Sequence, residues 1–136
     1  YHFQSKDALI FDLMDTYTQN FSSYLEELDA SYDDPKIKLI KLVEVFEGCL
    51  EQNKLCLAGV IASQSENVDY VTQEKTSEFF QIATAFIEKN LQSVKNSEGL
   101  PDIVISALQG ALMLDRLDKK AHRLDHIKNW LSGFFE

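Results

Sequence analysis

Pro101-Asp102-Ile103-Val104-Ile105-Ser106-Ala107-Leu108-Gln109-Gly110-Ala111-Leu112-Met113-Leu114 reads as a helix that is apolar almost all the way round. Proline is tolerated in a first helical turn, and an acid there suits the positive end of the helix dipole, so Pro101 and Asp102 start it. The run of Ile, Val, Leu, Ala and Met that follows covers more than one stripe. A helix of this kind has to meet protein on more than one side. In a 136-residue chain, long enough for one domain with a core of its own, that predicts a second surface besides the intramolecular one.

Working outward, residues from about Ala121 to Phe135 place Leu124, Ile127, Leu131, Phe134 and Phe135 on one helical face with Trp130 beside it. Upstream, Val71, Phe79, Ile82, Ala83, Phe86, Ile87, Leu91 and Val94 predict a long helix over about 67–95, stopped by Asn96-Ser97-Glu98-Gly99. Leu55 to Ser65 reads as a short, mostly buried helix after a break at Gln52-Asn53-Lys54. Leu39, Leu42, Val43, Phe46, Cys49 and Leu50 mark another helix, with Asp34 as cap and Pro35 in its first turn. Ser5 caps the first helix, whose stripe runs Leu9, Ile10, Leu13, Met14, Tyr17, Phe21, Tyr24, Leu25 and Leu28. With no hairpin signal and no repeat, the expected fold class is all-α, a bundle of about six helices.

Composition narrows the function. Apolar residues make up 45% and charged residues 26%, which is ordinary for a globular chain. No apolar run approaches the ~20 residues that cross a bilayer, so no membrane partner is expected. The two cysteines, Cys49 and Cys56, form no CxxC pair and point to a reducing, cytoplasmic setting. The net charge of -9 repels a polyanion and counts against nucleic-acid binding by this segment alone. The charge is also uneven: residues 1–34 carry one basic side chain, Lys6, against eight acidic ones. Glu26, Glu27, Asp29, Asp33 and Asp34 read as a wet surface.

The opening Tyr1-His2-Phe3-Gln4-Ser5-Lys6-Asp7-Ala8-Leu9 resembles the aromatic-His-Phe-x-Ser-Lys-x-x-Leu signature of the TetR family of transcriptional regulators. Leu55-Cys56-Leu57-Ala58-Gly59-Val60-Ile61-Ala62 and Ala107-Leu108-Gln109-Gly110-Ala111-Leu112 resemble segments of that family's regulatory domain. The resemblance implies that residues 1–4 are a remnant of the helix-turn-helix recognition helix and that 5–136 form a ligand-binding and dimerisation domain. Its last two helices would build a four-helix bundle with a second copy. It further implies a repressor that ligand releases from operator DNA, with DNA held by a headpiece this chain lacks. On the same footing, Tyr1, His2 and Lys6 match positions at or near the DNA backbone, and their hydroxyl, imidazole and ammonium donors suit phosphate.

A mostly apolar effector is expected among Tyr17, Phe21, Phe46, Ile61, Gln64, Phe80, Thr84, Ile87 and Gln109, where nine Phe, five Tyr and one Trp supply flat apolar surface. For each of them plain core packing competes with that role. The expected dimer seam is Leu108, Leu112, Arg116, Ile127, Trp130, Leu131 and Phe134. Cys56, beside Lys54 and at a helix start, is a candidate redox or electrophile-sensing thiol. His122 and His126 with Asp125 could hold zinc, but the zinc-hydrolase motif needs Glu directly after the first His and Arg123 stands there. No metal and no cofactor is expected. Phosphate loops, Gly-x-Ser-x-Gly and paired CxxC motifs are absent, so no enzyme is expected. A helical adaptor without a cavity is the competing class.

Overall fold

A computed structural model describes residues 5–136. Six α-helices follow one another: α1 (Lys6–Ser31), α2 (Pro35–Glu51), α3 (Leu57–Ser63), α4 (Tyr70–Asn90), α5 (Leu100–Asp118) and α6 (His122–Gly133), with a 3-10 turn at Ser65–Asn67. The described residues contain no strand. Tyr1 and His2 lie outside them. Lys6 is exposed in the first turn of α1.

Local chemistry sets the helix starts. Ser5 Oγ accepts from the Ala8 amide at 3.1 Å, Asp34 accepts from Lys36 at 2.9 Å, and Asp69 accepts from Thr72 at 3.0 Å. Each satisfies a donor that the first turn leaves without a helical partner. Asp69 also explains why α4 begins at Tyr70 rather than at about residue 67: a competent cap two residues into the expected span takes over the start. Its end comes earlier too. After Asn90 the backbone closes through turns, with the Leu91 amide donating to Glu88 O and Val94 to Leu91 O. Gly99 then adopts a left-handed φ of 77° before α5, a conformation that costs glycine little.

The core is built from one stripe per helix. Met14, Phe21, Leu25 and Leu28 of α1 pack chiefly on α4, whose Phe79, Ala83, Phe86 and Ile87 point back. Leu39, Leu42, Val43 and Phe46 of α2 meet α5 and α6. Short α3 is wedged against α4 and α1. Phe79 sits at the centre, its ring 4.5 Å from Phe21 and 5.4 Å from Tyr17. Burying such a ring contributes roughly 1.5–3 kcal/mol. Leu13, expected on the inner stripe of α1, is exposed.

Ion pairs hold the layers in register. Asp29 of α1 receives Lys38 of α2 at 3.3 Å and Lys89 of α4, and Asp15 of α1 receives Lys75 of α4 at 3.1 Å. Asp29 is therefore not a free member of the wet acidic surface. Burial pushes its pKa up, but the two ammonium groups outweigh this and hold it below the usual carboxylate value.

Candidate functional site

Two features stand out from the packed core, a set of clefts around α3 and an uncovered face on α5. Because α3 spans only Leu57–Ser63, it cannot fill the space between its longer neighbours, and clefts remain on its flanks. The largest of them, about 540 Å³, runs between Tyr17 of α1, Val45, Gly48 and Cys49 of α2, and Leu55, Leu57 and Val60. On the α5 side lies a cleft of about 250 Å³ whose walls include Cys56, Val60, Gln109, Leu112 and Met113. Toward α4 a smaller space of about 180 Å³ is bordered by Ile61, Val68, Thr76 and Phe80.

The polar groups here are few and unusual. Tyr17 Oη donates to Cys56 Sγ at 3.3 Å, tying α1 to the first turn of α3. Burial, and then the neighbouring Cys56 thiol, push the Tyr17 phenol far above its ordinary pKa. Cys49 is raised as well, by burial and by Cys56, with Lys54 opposing. Cys56 itself is 2% exposed, which counts against a freely reactive thiol. On the other side of α3, a Cβ on Gly59 would stand 2.4 Å from Gln109 Oε1. Glycine lets the Gln109 amide press against the α3 backbone, and Gln109 Nε2 is left buried without a hydrogen-bond partner.

The nine expected effector residues do not share a single cavity. Tyr17 borders the α1–α2 groove, Gln109 the α5 cleft, and Ile61 with Phe80 the α4 space. Phe21, Phe46 and Ile87 are buried in packed core. Thr84 borders a separate recess near Glu88, Gly99 and Asp102, and its hydroxyl donates to Phe80 O at 2.7 Å. Gln64 is exposed and accepts from Asn67 at 3.0 Å. The central volume is closed by the Tyr17, Phe21, Phe79 and Phe80 rings.

Of the seven expected seam residues, four are buried within the protomer: Leu108 and Leu112 face the core from α5, as do Ile127 and Leu131 from α6. Arg116 is exposed, but its Nε donates to Asn53 O at 3.3 Å. The open face of α5 is instead Ile103, Ser106, Gly110, Met113 and Leu117, spaced alternately three and four residues. Ile103, Met113 and Leu117 expose 54%, 57% and 76% of their surface. A Cβ on Gly110 would meet nothing within 4 Å. Trp130 and Phe134 of α6, with ring centroids 5.4 Å apart, are partly exposed.

At the start of α6 the His122 and His126 rings stand 6.4 Å apart and perpendicular. No three His, Cys, Asp or Glu side chains among the described residues are grouped so as to hold a metal ion. The buried acid nearby has a structural task. Asp115 of α5 accepts from the Leu124 amide at 3.0 Å, from the Arg123 amide at 3.3 Å and from Arg123 Nη1 at 3.1 Å. It thereby caps α6, whose own N-cap residue Ala121 has no side-chain acceptor. No helix among the described residues is long and apolar enough to cross a membrane.

No family model and no curated protein matches the sequence. Solved structures do match the fold. A TetR transcriptional regulator from Legionella pneumophila superposes with a TM-score of 0.89 at 23% identity, over 98% of this chain and 75% of that one. A TetR-family transcriptional regulator from Agrobacterium tumefaciens gives 0.84 at 21% identity, over 97% of this chain and 75% of that one. The chain thus has the backbone architecture of these regulators across nearly its whole length.

Proposed function

We propose that the chain is the regulatory and dimerisation domain of a TetR-like transcriptional regulator. The observation that carries this reading is the near-complete overlap with the two regulator structures, which joins the TetR-like signature at residues 1–9. In this proposal the exposed α5 stripe and the Trp130–Phe134 edge of α6 meet the same surface of a second copy, as a two-fold interface requires. Small apolar molecules occupy the clefts around α3. DNA is gripped by a helix-turn-helix headpiece joined to the N-terminal end of α1.

Mechanistically, α1 is the lever. It is held to α4 by packing and by Asp15–Lys75 and Asp29–Lys89, so whatever displaces α3 or α4 is felt by α1. Two recognition helices read successive major grooves only when they stand about 34–36 Å, or a multiple, apart. A ligand that binds one packing of α1 on α4 better than the other shifts the population, with a coupling of about 1–3 kcal/mol as the usual scale.

The full-length protein offers the test. A selection from random duplex DNA should return a two-fold symmetric site bound by a dimer, and an apolar effector should weaken that complex about 5- to 150-fold in an anisotropy titration. A monomer that enriches no symmetric site and responds to no apolar compound would overturn the reading in favour of a helical adaptor.

A further inference from the structure

We propose that the groove between α1, α2 and α3 binds an amphipathic monoanion, an apolar body carrying a carboxylate, and that Lys54 is the cation that meets the carboxylate. The inference rests on the ligand-binding reading above and deepens it by naming the ligand chemistry and the groove that takes it.

Size and lining point to this groove. Its volume of about 540 Å³ falls inside the roughly 300–1,000 Å³ of sites for drug-sized ligands. The walls are mostly hydrocarbon, from Val45, Leu55, Leu57 and Val60, and Gly48 keeps the α2 side open, since a Cβ there would meet nothing within 4 Å. No residue of α5 or α6 borders it, so a second copy seated on those helices leaves it accessible.

Charge then selects the ligand. The protein carries a net charge of -9, yet among the described residues the single charged side chain on this groove is the Lys54 cation. The α2 residues that line it, Val45, Gly48, Cys49 and Gln52, share one helical face, and the acids of α2 stand off it: Glu44 pairs with Lys41 and Glu47 with Lys128. The other recesses differ. Glu88, Glu98 and Asp102 border the one beside Thr84, and in the α1–α4 recess Lys75 is already paired with Asp15 and Glu78. No ion pair among the described residues uses Lys54.

Lys54 is held at the end of the groove by its own turn. Its amide donates to Cys49 O at 2.8 Å, Asn53 before it adopts a left-handed φ of 56°, and Arg116 Nε anchors that turn through Asn53 O at 3.3 Å. Burial and Cys56 raise the Cys49 thiol, and the Lys54 ammonium opposes them, which puts that charge on the Cys49 side of the turn. Tyr17 already donates its hydroxyl proton to Cys56 Sγ, so the Lys54 ammonium is the charged donor left for an anion.

The experiment uses naphthylacetic acid, ionised at neutral pH, and naphthylethanol of the same ring isomer, which differ in charge but little in shape. Both are titrated calorimetrically into the protein without DNA at low ionic strength. The anion should bind about fivefold more tightly, the upper end for a solvated ion pair, and added salt should erode that advantage. Lys54→Met should abolish the preference, whereas Lys95→Met, which removes an exposed cation bordering none of these recesses, should keep it. Gly48→Leu should weaken both compounds about tenfold by filling the groove, while its better helix propensity preserves the fold. Equal affinities in the parent protein, no binding of either compound, a preference that survives Lys54→Met, or full binding by Gly48→Leu would each overturn the assignment. Because no DNA is present, failure here is separable from failure of the regulatory reading, which is judged by DNA release.

Discussion

Asp115 shows how one residue can decide the geometry between two helices. A carboxylate inside an apolar helix face is costly to bury unless paired, and here two amides and the Arg123 guanidinium compensate it. Asp115→Ala should cost about 3 kcal/mol in urea unfolding, since both α6 amides lose their acceptor and Arg123 its partner. Asp115→Asn, which keeps one acceptor oxygen, should cost less. A variant as stable as the parent would show that α6 is capped some other way. Spacing alone puts Asp115 on the inward face, four positions after Ala111 and three after Leu112, but only the turn that brings α6 back reveals the partners that compensate it.

Cys49 and Tyr17 make a second prediction at this scale. Both hold their protons more tightly folded than unfolded. Their stabilising contribution is therefore complete below the ordinary thiol value of 9.0 and is lost as pH rises, first through the thiol and then through the phenol. Urea midpoints should fall steadily above about pH 9, and Tyr17→Phe should flatten the later part of that fall. A midpoint unchanged up to pH 11 would contradict the burial of these groups.

At the scale of the element, α5 carries the most information. Its all-round apolarity predicts two contact faces; Val104, Leu108, Ala111 and Leu112 point inward, and Ile103, Met113 and Leu117 lie exposed on the other side. Which face is which was not legible, because Leu108 and Met113 are equally apolar and differ only in what α2, α4 and α6 cover. Leu117→Glu replaces a side chain that is 76% exposed and should leave protomer stability within about 0.5 kcal/mol. It should nevertheless weaken the proposed dimer at least tenfold in sedimentation equilibrium. Trp130→Ala should weaken it by about 2 kcal/mol, the usual scale for a buried aromatic anchor. Unchanged dimers in both variants would remove α5 and α6 from the interface.

For the whole molecule, the helix count, the order of the elements and most core residues could be read from periodicity and caps, because amphipathic spacing and local hydrogen bonds are properties of neighbouring residues. The TetR-like fold was legible too, from short motifs whose element order the structure reproduces. Other features depended on residues far apart in the chain and so were decided only by tertiary packing. The central aromatic volume closes because Phe79 meets Tyr17 and Phe21. The clefts move to the flanks of α3 because that helix is too short for its neighbours, and Gln109 packs against α3 because Gly59 has no side chain in its way. The amino-acid sequence by itself determined which stripes are apolar and where helices start. Only the assembled fold decided which stripe is left uncovered and which polar atom lacks a partner, because exposure is set by what lies opposite a residue in space.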